Sequence, residues 1–152
     1  MNDFSTLLQN RILLTAFTSW AAAQLIKLIT NFFREGVVDW RQLTSPGGMP
    51  SSHSAIVMGV TFSIGMTQGW DSPLLALSSS FAMIVMYDAA GIRRAAGKQA
   101  ATLNRIIDRL TKGAPHERKQ ISPDELREIL GHTPLQVLAG ACLGVAIALM
   151  MN

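Results

Sequence analysis

The chain has 152 residues, of which 49% are hydrophobic and only 15% charged, with a formal net charge of +3. This predicts a single apolar structural unit, and it sets nucleic acid aside as a partner, because the basic residues cluster beside apolar segments without an aromatic-interleaved basic face. Cys142 is the only cysteine, which excludes an intramolecular disulfide, and its apolar neighbours predict a small buried filler.

Ile12 to Phe33 gives 22 residues that are mostly apolar or small, with Gln24, Lys27 and Asn31 as the strongly polar exceptions. At about 1.5 Å per residue they cross a hydrocarbon core of roughly 30 Å. The run continues past Lys27 to Phe32 and Phe33, too far for the apolar region of a signal peptide. A loop follows that reads P-G-G-M-P-S-S-H-S from Pro46 to Ser54. Its prolines and glycines forbid regular structure, while Ser51, Ser52, His53 and Ser54 crowd hydroxyls and an imidazole into four positions.

A second, short apolar run extends from Ser54 to Thr67 and a third from Pro73 to Ala90, joined by a tight turn through Gly69, Trp70 and Asp71. The polar stretch 91–133 comes next. Leu103, Ile106, Ile107 and Leu110 follow helical spacing there, and Ser122-Pro123-Asp124-Glu125 reads as a helix start. Two short amphipathic helices on the headgroups fit this pattern, as would a helical hairpin on a partner protein. The fourth apolar run, Pro134 to Met151, carries Gly140 and Gly144 at the spacing of a helix-packing notch, on which a homodimer is expected. The fold class expected is therefore an all-α integral membrane bundle of about four transmembrane helices, with short interfacial helices in the long loop. It forms one domain over 1–152, with spans near 12–33, 54–67, 73–90 and 134–151.

Nine of the thirteen Lys and Arg fall between Arg93 and Arg127, and Arg34 and Arg41 lie in the first loop, so the positive-inside bias puts both loops on the cytoplasmic side. Four crossings then bring the end of the first span, the P-S-S-H loop, the end of the third span and the start of the fourth to one membrane face. On that face Lys27 is costly within a span, and Arg34 follows two turns later on the same side of the helix. Arg93 and Arg94 add charge, and His53 and His132 border spans. Asp88 is costly unless paired, and Lys27 is its expected cross-helix partner. Cations that bracket an oxyanion, hydroxyls and backbone N–H groups at a helix start, and two imidazoles are the parts for phosphoryl transfer without a metal. One imidazole can attack phosphorus while the other protonates the leaving oxygen. No H-E-x-x-H or Cys/His ligand spacing occurs, so no metal and no cofactor is expected.

These residues resemble a known group. Lys27 with Arg34 seven positions on, Pro50-Ser51-Ser52-His53, and His132-Thr133-Pro134-Leu135-Gln136 are similar to the three motifs of the type 2 phosphatidic-acid phosphatase and vanadium haloperoxidase superfamily, written K-x6-R-P, P-S-G-H and S-R-x5-H-x3-D. The strings G-G-M-P-S-S-H-S-A, M-Y-D-A-A-G-I-R-R-A-A-G-K-Q-A and L-G-H-T-P-L-Q-V-L-A-G resemble more closely its divergent bacterial and plastid branch, over nearly the whole chain. The resemblance implies His132 as the nucleophile, His53 as the acid for the leaving alcohol, and Lys27, Arg34, Ser51 and Ser52 around the phosphate oxygens. It also implies a membrane lipid phosphate as substrate, of the phosphatidic acid, phosphatidylglycerophosphate or prenyl phosphate and diphosphate type, and a bacterial inner or plastid-type membrane.

The departures from those motifs are specific. Glu35 stands for the proline after Arg34, Ser52 for the glycine before His53, and Gln136 for the aspartate four residues after the nucleophile. An amide can orient an imidazole but cannot stabilise the imidazolium by charge. The S-R pair is absent, with Leu126 in the arginine position, and Arg93 or Arg94 is the expected substitute. A non-catalytic membrane protein that binds anionic headgroups or scaffolds a partner is the alternative these departures favour.

Overall fold

A computed structural model describes residues 9–36, 48–112 and 131–152. Trp40, Arg41, Pro46, Gly47, His116, Leu126, Arg127 and the helix start at Ser122 lie outside the described residues. Five helices account for nearly all of what is described: α1 (Arg11–Glu35), α2 (Ser52–Gln68), α3 (Pro73–Ala90), α4 (Ile92–Lys112) and α5 (Pro134–Met151). There is no strand among the described residues.

Local chemistry sets the boundaries. Asn10 caps α1 by accepting from the Ile12 and Leu13 N–H groups, and Gly36 closes it at φ 70°, donating its N–H to the Phe32 carbonyl. Ser51, Ser72 and Thr133 cap α2, α3 and α5, with proline at the first position of α3 and α5. The expected spans 73–90 and 134–151 coincide with α3 and α5, while α2 begins two residues earlier than expected because Ser51 rather than His53 is the cap. In the polar stretch a single helix of 21 residues runs from Ile92 to Lys112 where a short one was expected. Ala95, Ala96, Ala100 and Ala101 let it continue, since alanine is the best helix former.

Helix α2 is the centre of the bundle and packs against α1, α3 and α5; α1 also meets α5, and α4 continues from the end of α3. Among the described residues the interior mixes small apolar and polar side chains while large apolar ones lie outside, unlike a water-soluble bundle. The largest fully buried side chains are Thr15, Ser19, Ser51, Ser54 and Ser63, whereas Phe17, Phe33, Leu77, Phe81, Ile84 and Leu138 face outward. Leaving each such side chain in water would forgo about 1.5–3 kcal/mol, so the outer surface belongs in lipid. Three stretches are long and apolar enough to cross a membrane: Arg11–Phe33, Pro73–Ile107, which runs from α3 into α4, and Pro134–Met151. At 17 residues α2 reaches about 25 Å, slightly less than the hydrocarbon thickness.

Small residues bring the backbones together, as membrane helices require when no hydrophobic effect operates between them. A Cβ on Gly140 would fall on the Ser51 carbonyl oxygen and one on Gly144 on that of Ala55. The glycine notch of α5 is therefore filled by α2 of the same chain, which corrects the expectation that this face joins two copies. Cys142, two positions from each glycine, points away from that contact and is exposed, not the buried filler expected.

Candidate active site

The site begins where α2 begins. The Ser51 hydroxyl accepts from the Ser54 N–H at 3.4 Å and from the Ser54 hydroxyl at 3.0 Å, capping the helix. The Ser51 N–H donates to the Gln136 carbonyl at 3.0 Å, which ties the loop to the first turn of α5. Ser51 is fully buried by these contacts and by Gly140, so its part in the site is to fix the turn. Ser52 and His53 occupy the first turn of α2, where backbone N–H groups lack intrahelical partners and the helix dipole favours an anion.

Lys27 reaches this turn from α1. Its ammonium donates to the Ser52 hydroxyl at 3.3 Å, and the side chain is 5% exposed. Its stem runs along Gly48, whose missing Cβ would lie 3.5 Å from the Lys27 Cγ. An ammonium has three protons to donate, so one serine leaves capacity for an anion.

His132 arrives immediately before α5 and is buried. Thr133 and Gln136 form a reciprocal cap: the Gln136 N–H donates to the Thr133 hydroxyl at 3.3 Å, and the Thr133 N–H donates to Gln136 Oε1 at 2.9 Å. The same Oε1 lies 3.3 Å from His132 Nδ1. A backbone N–H can only donate, so the atom facing Thr133 must be the amide oxygen, and His132 Nδ1 must then carry the proton. That tautomer puts the lone pair on Nε2. The amide that lies within hydrogen-bond reach of the imidazole also caps the helix, a role the T-P-L-Q spacing signals.

The two imidazoles come together. The ring centroids of His53 and His132 are 6.5 Å apart with 57° between planes, and His53 is exposed where His132 is buried. That spacing is too wide for stacking, but with hydrogen-bond reach of about 3 Å from each ring nitrogen a single tetrahedral group can touch both. Sequence positions 79 apart have thus met at one end of the bundle, beside a lysine.

Other expected site residues are placed less centrally. Asp88 is half-buried near the end of α3, a helix that packs on α2, and the Lys27 ammonium donates to Ser52. Arg94 is half-buried in the first turn of α4. Arg34 and Arg93 belong to α1 and α4, but their side chains lie outside the described part of the structure. Among the described residues no three His, Cys, Asp or Glu side chains gather as a metal would need. Asn31, one turn beyond Lys27 and buried, was noted in the sequence only as a polar interruption of the span.

Comparison with known proteins decides the lineage. A family profile described as the Divergent PAP2 family matches residues 8–147. The chain belongs to this family. It is also 38% identical over 151 residues to YuiD of Bacillus subtilis (strain 168), described as an uncharacterized membrane protein, with 95% of this chain and 96% of the relative covered. No solved structure matches. Family membership bears out the resemblance carried by the three motifs, and the membrane-spanning helices together with a membrane-protein relative make this an integral membrane protein.

Proposed function

We propose that this Divergent PAP2 family protein is a membrane phosphatase that hydrolyses a lipid phosphate through a phosphohistidine on His132. The observation that supports it best is the meeting of His53 and His132 at the start of α2, with the Lys27 ammonium hydrogen-bonded to Ser52 in the same turn. His132 Nε2 attacks phosphorus, and the bond from phosphorus to the ester oxygen breaks. His53 gives its proton to the departing alcohol oxygen. Neutral His53 then takes a proton from water as the water oxygen attacks the phosphohistidine, the P–N bond breaks, and inorganic phosphate leaves. Lys27, the first N–H groups of α2 and one or more of Arg34, Arg93 and Arg94 offset the charge on the phosphoryl oxygens. Loop charge bias supports a cytoplasmic mouth, and a phosphatidic acid, phosphatidylglycerophosphate or prenyl phosphate headgroup is the class of ligand proposed to reach it from the bilayer.

Detergent-purified protein is expected to release phosphate from such a lipid in EDTA, to be inhibited by vanadate, and to lose at least about a thousandfold in rate in His132→Ala. No release across a broad lipid-phosphate panel sinks the proposal. Lipid-phosphate binding that survives His132→Ala without any turnover would instead select the non-catalytic headgroup-binding protein, the reading favoured by Gln136 in place of a carboxylate.

A further inference from the structure

Gln24, Lys27, Asn31 and Arg34 follow a spacing of three, four and three, which keeps them on one stripe of α1. Asn31 is 9% exposed, and its Nδ2 has no hydrogen-bond partner. Folded proteins leave few buried donors unmade, because the lost hydration is not returned. The Ser19 hydroxyl is similarly unpartnered, but it is pressed against Gly59, where even a Cβ would come within 2.5 Å of it, so no ligand enters there.

Asn31 stands in a different place. Ser19 lies opposite Gly59 and Lys27 opposite Ser52, so α1 and α2 run antiparallel, and one further turn carries Asn31 beyond Lys27, whose stem lies along Gly48, toward the end of the bundle where α2 begins. Helix α5 brings Gln136 to a similar depth, since its carbonyl receives the Ser51 N–H and Gly140 covers Ser51 one turn below. Side chains on a helix lean toward its N-terminus, which tilts the Asn31 amide back over Lys27. The donor therefore belongs to the Lys27 stripe of α1, on the side of Lys27 toward the start of α2.

We propose that Asn31 Nδ2 donates a hydrogen bond to a non-bridging oxygen of a bound phosphate monoester, a ligand contact that rests on the phosphatase reading above. An amide supplies this donor without adding a second cation within one turn of Lys27, where desolvating another charge would be costly.

The test uses the full chain in detergent, with orthovanadate, inorganic phosphate and, in mixed micelles, a diacyl lipid phosphate monoester as probes. Without ligand, Asn31→Leu is expected to melt at or above the wild-type temperature, because an unmade donor has been removed. Its affinity for phosphate and vanadate falls about 10- to 100-fold, the value of a hydrogen bond to a charged group, and KM for the lipid phosphate rises by a similar factor. Asn31→Asp, of the same size but without the donor, binds more weakly still through like-charge repulsion. Unchanged affinity in Asn31→Leu overturns the assignment, as does a ligand-free melting temperature several degrees below wild type, the mark of a structural role. If the leucine variant does not fold, wild-type affinity in Asn31→Asp overturns it equally. A loss confined to either the inorganic or the lipid arm also overturns it, because the shared phosphoryl oxygens are the proposed partner. Wild-type protein that binds neither vanadate nor phosphate breaks the phosphatase reading itself, whereas wild-type binding retained in both variants breaks only the role of Asn31.

Discussion

The two ends of the bundle bury similar polar groups and treat them differently. At the end away from the site, Asn152 donates to the Thr15 hydroxyl at 3.5 Å and to the Ala148 carbonyl at 3.0 Å, while the Ser63 hydroxyl donates to Asn152 Oδ1 at 3.3 Å. Thr15 in turn donates to the Arg11 carbonyl at 2.8 Å, and Thr61 and Thr67 return their protons to carbonyls one turn back. These groups satisfy one another. At the mouth, Lys27 has one serine, Asn31 Nδ2 has no partner, and two imidazoles face each other across 6.5 Å. A polar cluster that closes on itself holds helices together, whereas spare donors in a low-dielectric setting are costly to leave unmade, and the phosphate proposal rests on them.

The largest effect is expected where the two kinds of construction meet. In Gly140→Ala the new methyl lands on the Ser51 carbonyl, a backbone atom that cannot rotate away. Overpacking of this kind costs about 1–3 kcal/mol. Ser51 also caps α2 and is tied to Gln136, so the displacement should reach both His53 and His132. Thermal unfolding should move down and phosphate release should fall by more than tenfold together. A variant that keeps wild-type turnover would show that the mouth does not depend on the α2–α5 contact.

Gln136→Glu sharpens the comparison from the other side. Glutamate keeps the length and the acceptor needed for the Thr133 cap, so stability should hold within about 0.5 kcal/mol. The added negative charge beside His132 favours the imidazolium. Because the nucleophile must be neutral to attack, the acid limb of the pH–rate profile should move to higher pH. Above that limb kcat should rise several-fold, as the charge stabilises the phosphohistidine. A profile identical to wild type would mean that Gln136 only caps the helix.

How much of this could be read in the sequence depended on whether the deciding interaction was local. The bounds of α3 and α5 were legible because Ser72-Pro73 and Thr133-Pro134 fix a cap and a first residue without help from the rest of the fold. The meeting of His53 and His132 was legible through topology, since an even number of crossings separates the two loops. The Gly140 notch was legible as a contact but not as to its partner, because a neighbouring helix of the same chain and one from a second copy use the same small residues. Cys142 was misjudged for the same reason: an apolar neighbourhood describes the inside of a soluble core and the outside of a membrane bundle alike. Asn31 was not legible as a donor awaiting a ligand, since that depends on what fails to reach it in three dimensions.

The smallest effect expected is the one that separates the two ends most cleanly. Asn152→Ala removes the hydrogen bonds to Thr15 and Ser63 and touches nothing near the imidazoles. Side-chain hydrogen bonds between membrane helices average about 0.6 kcal/mol in double-mutant cycles, with about 1.7 kcal/mol as the upper end. Unfolding of the detergent-solubilised variant should therefore shift by no more than a few degrees. Its kcat and KM for a lipid phosphate should match wild type, because a self-satisfied cluster exchanges nothing with the mouth. Should turnover instead fall in step with the mouth variants, the two ends would have to be one coupled unit, and the spare donors at Lys27 and Asn31 could no longer be treated as a site separate from the helix packing beneath them.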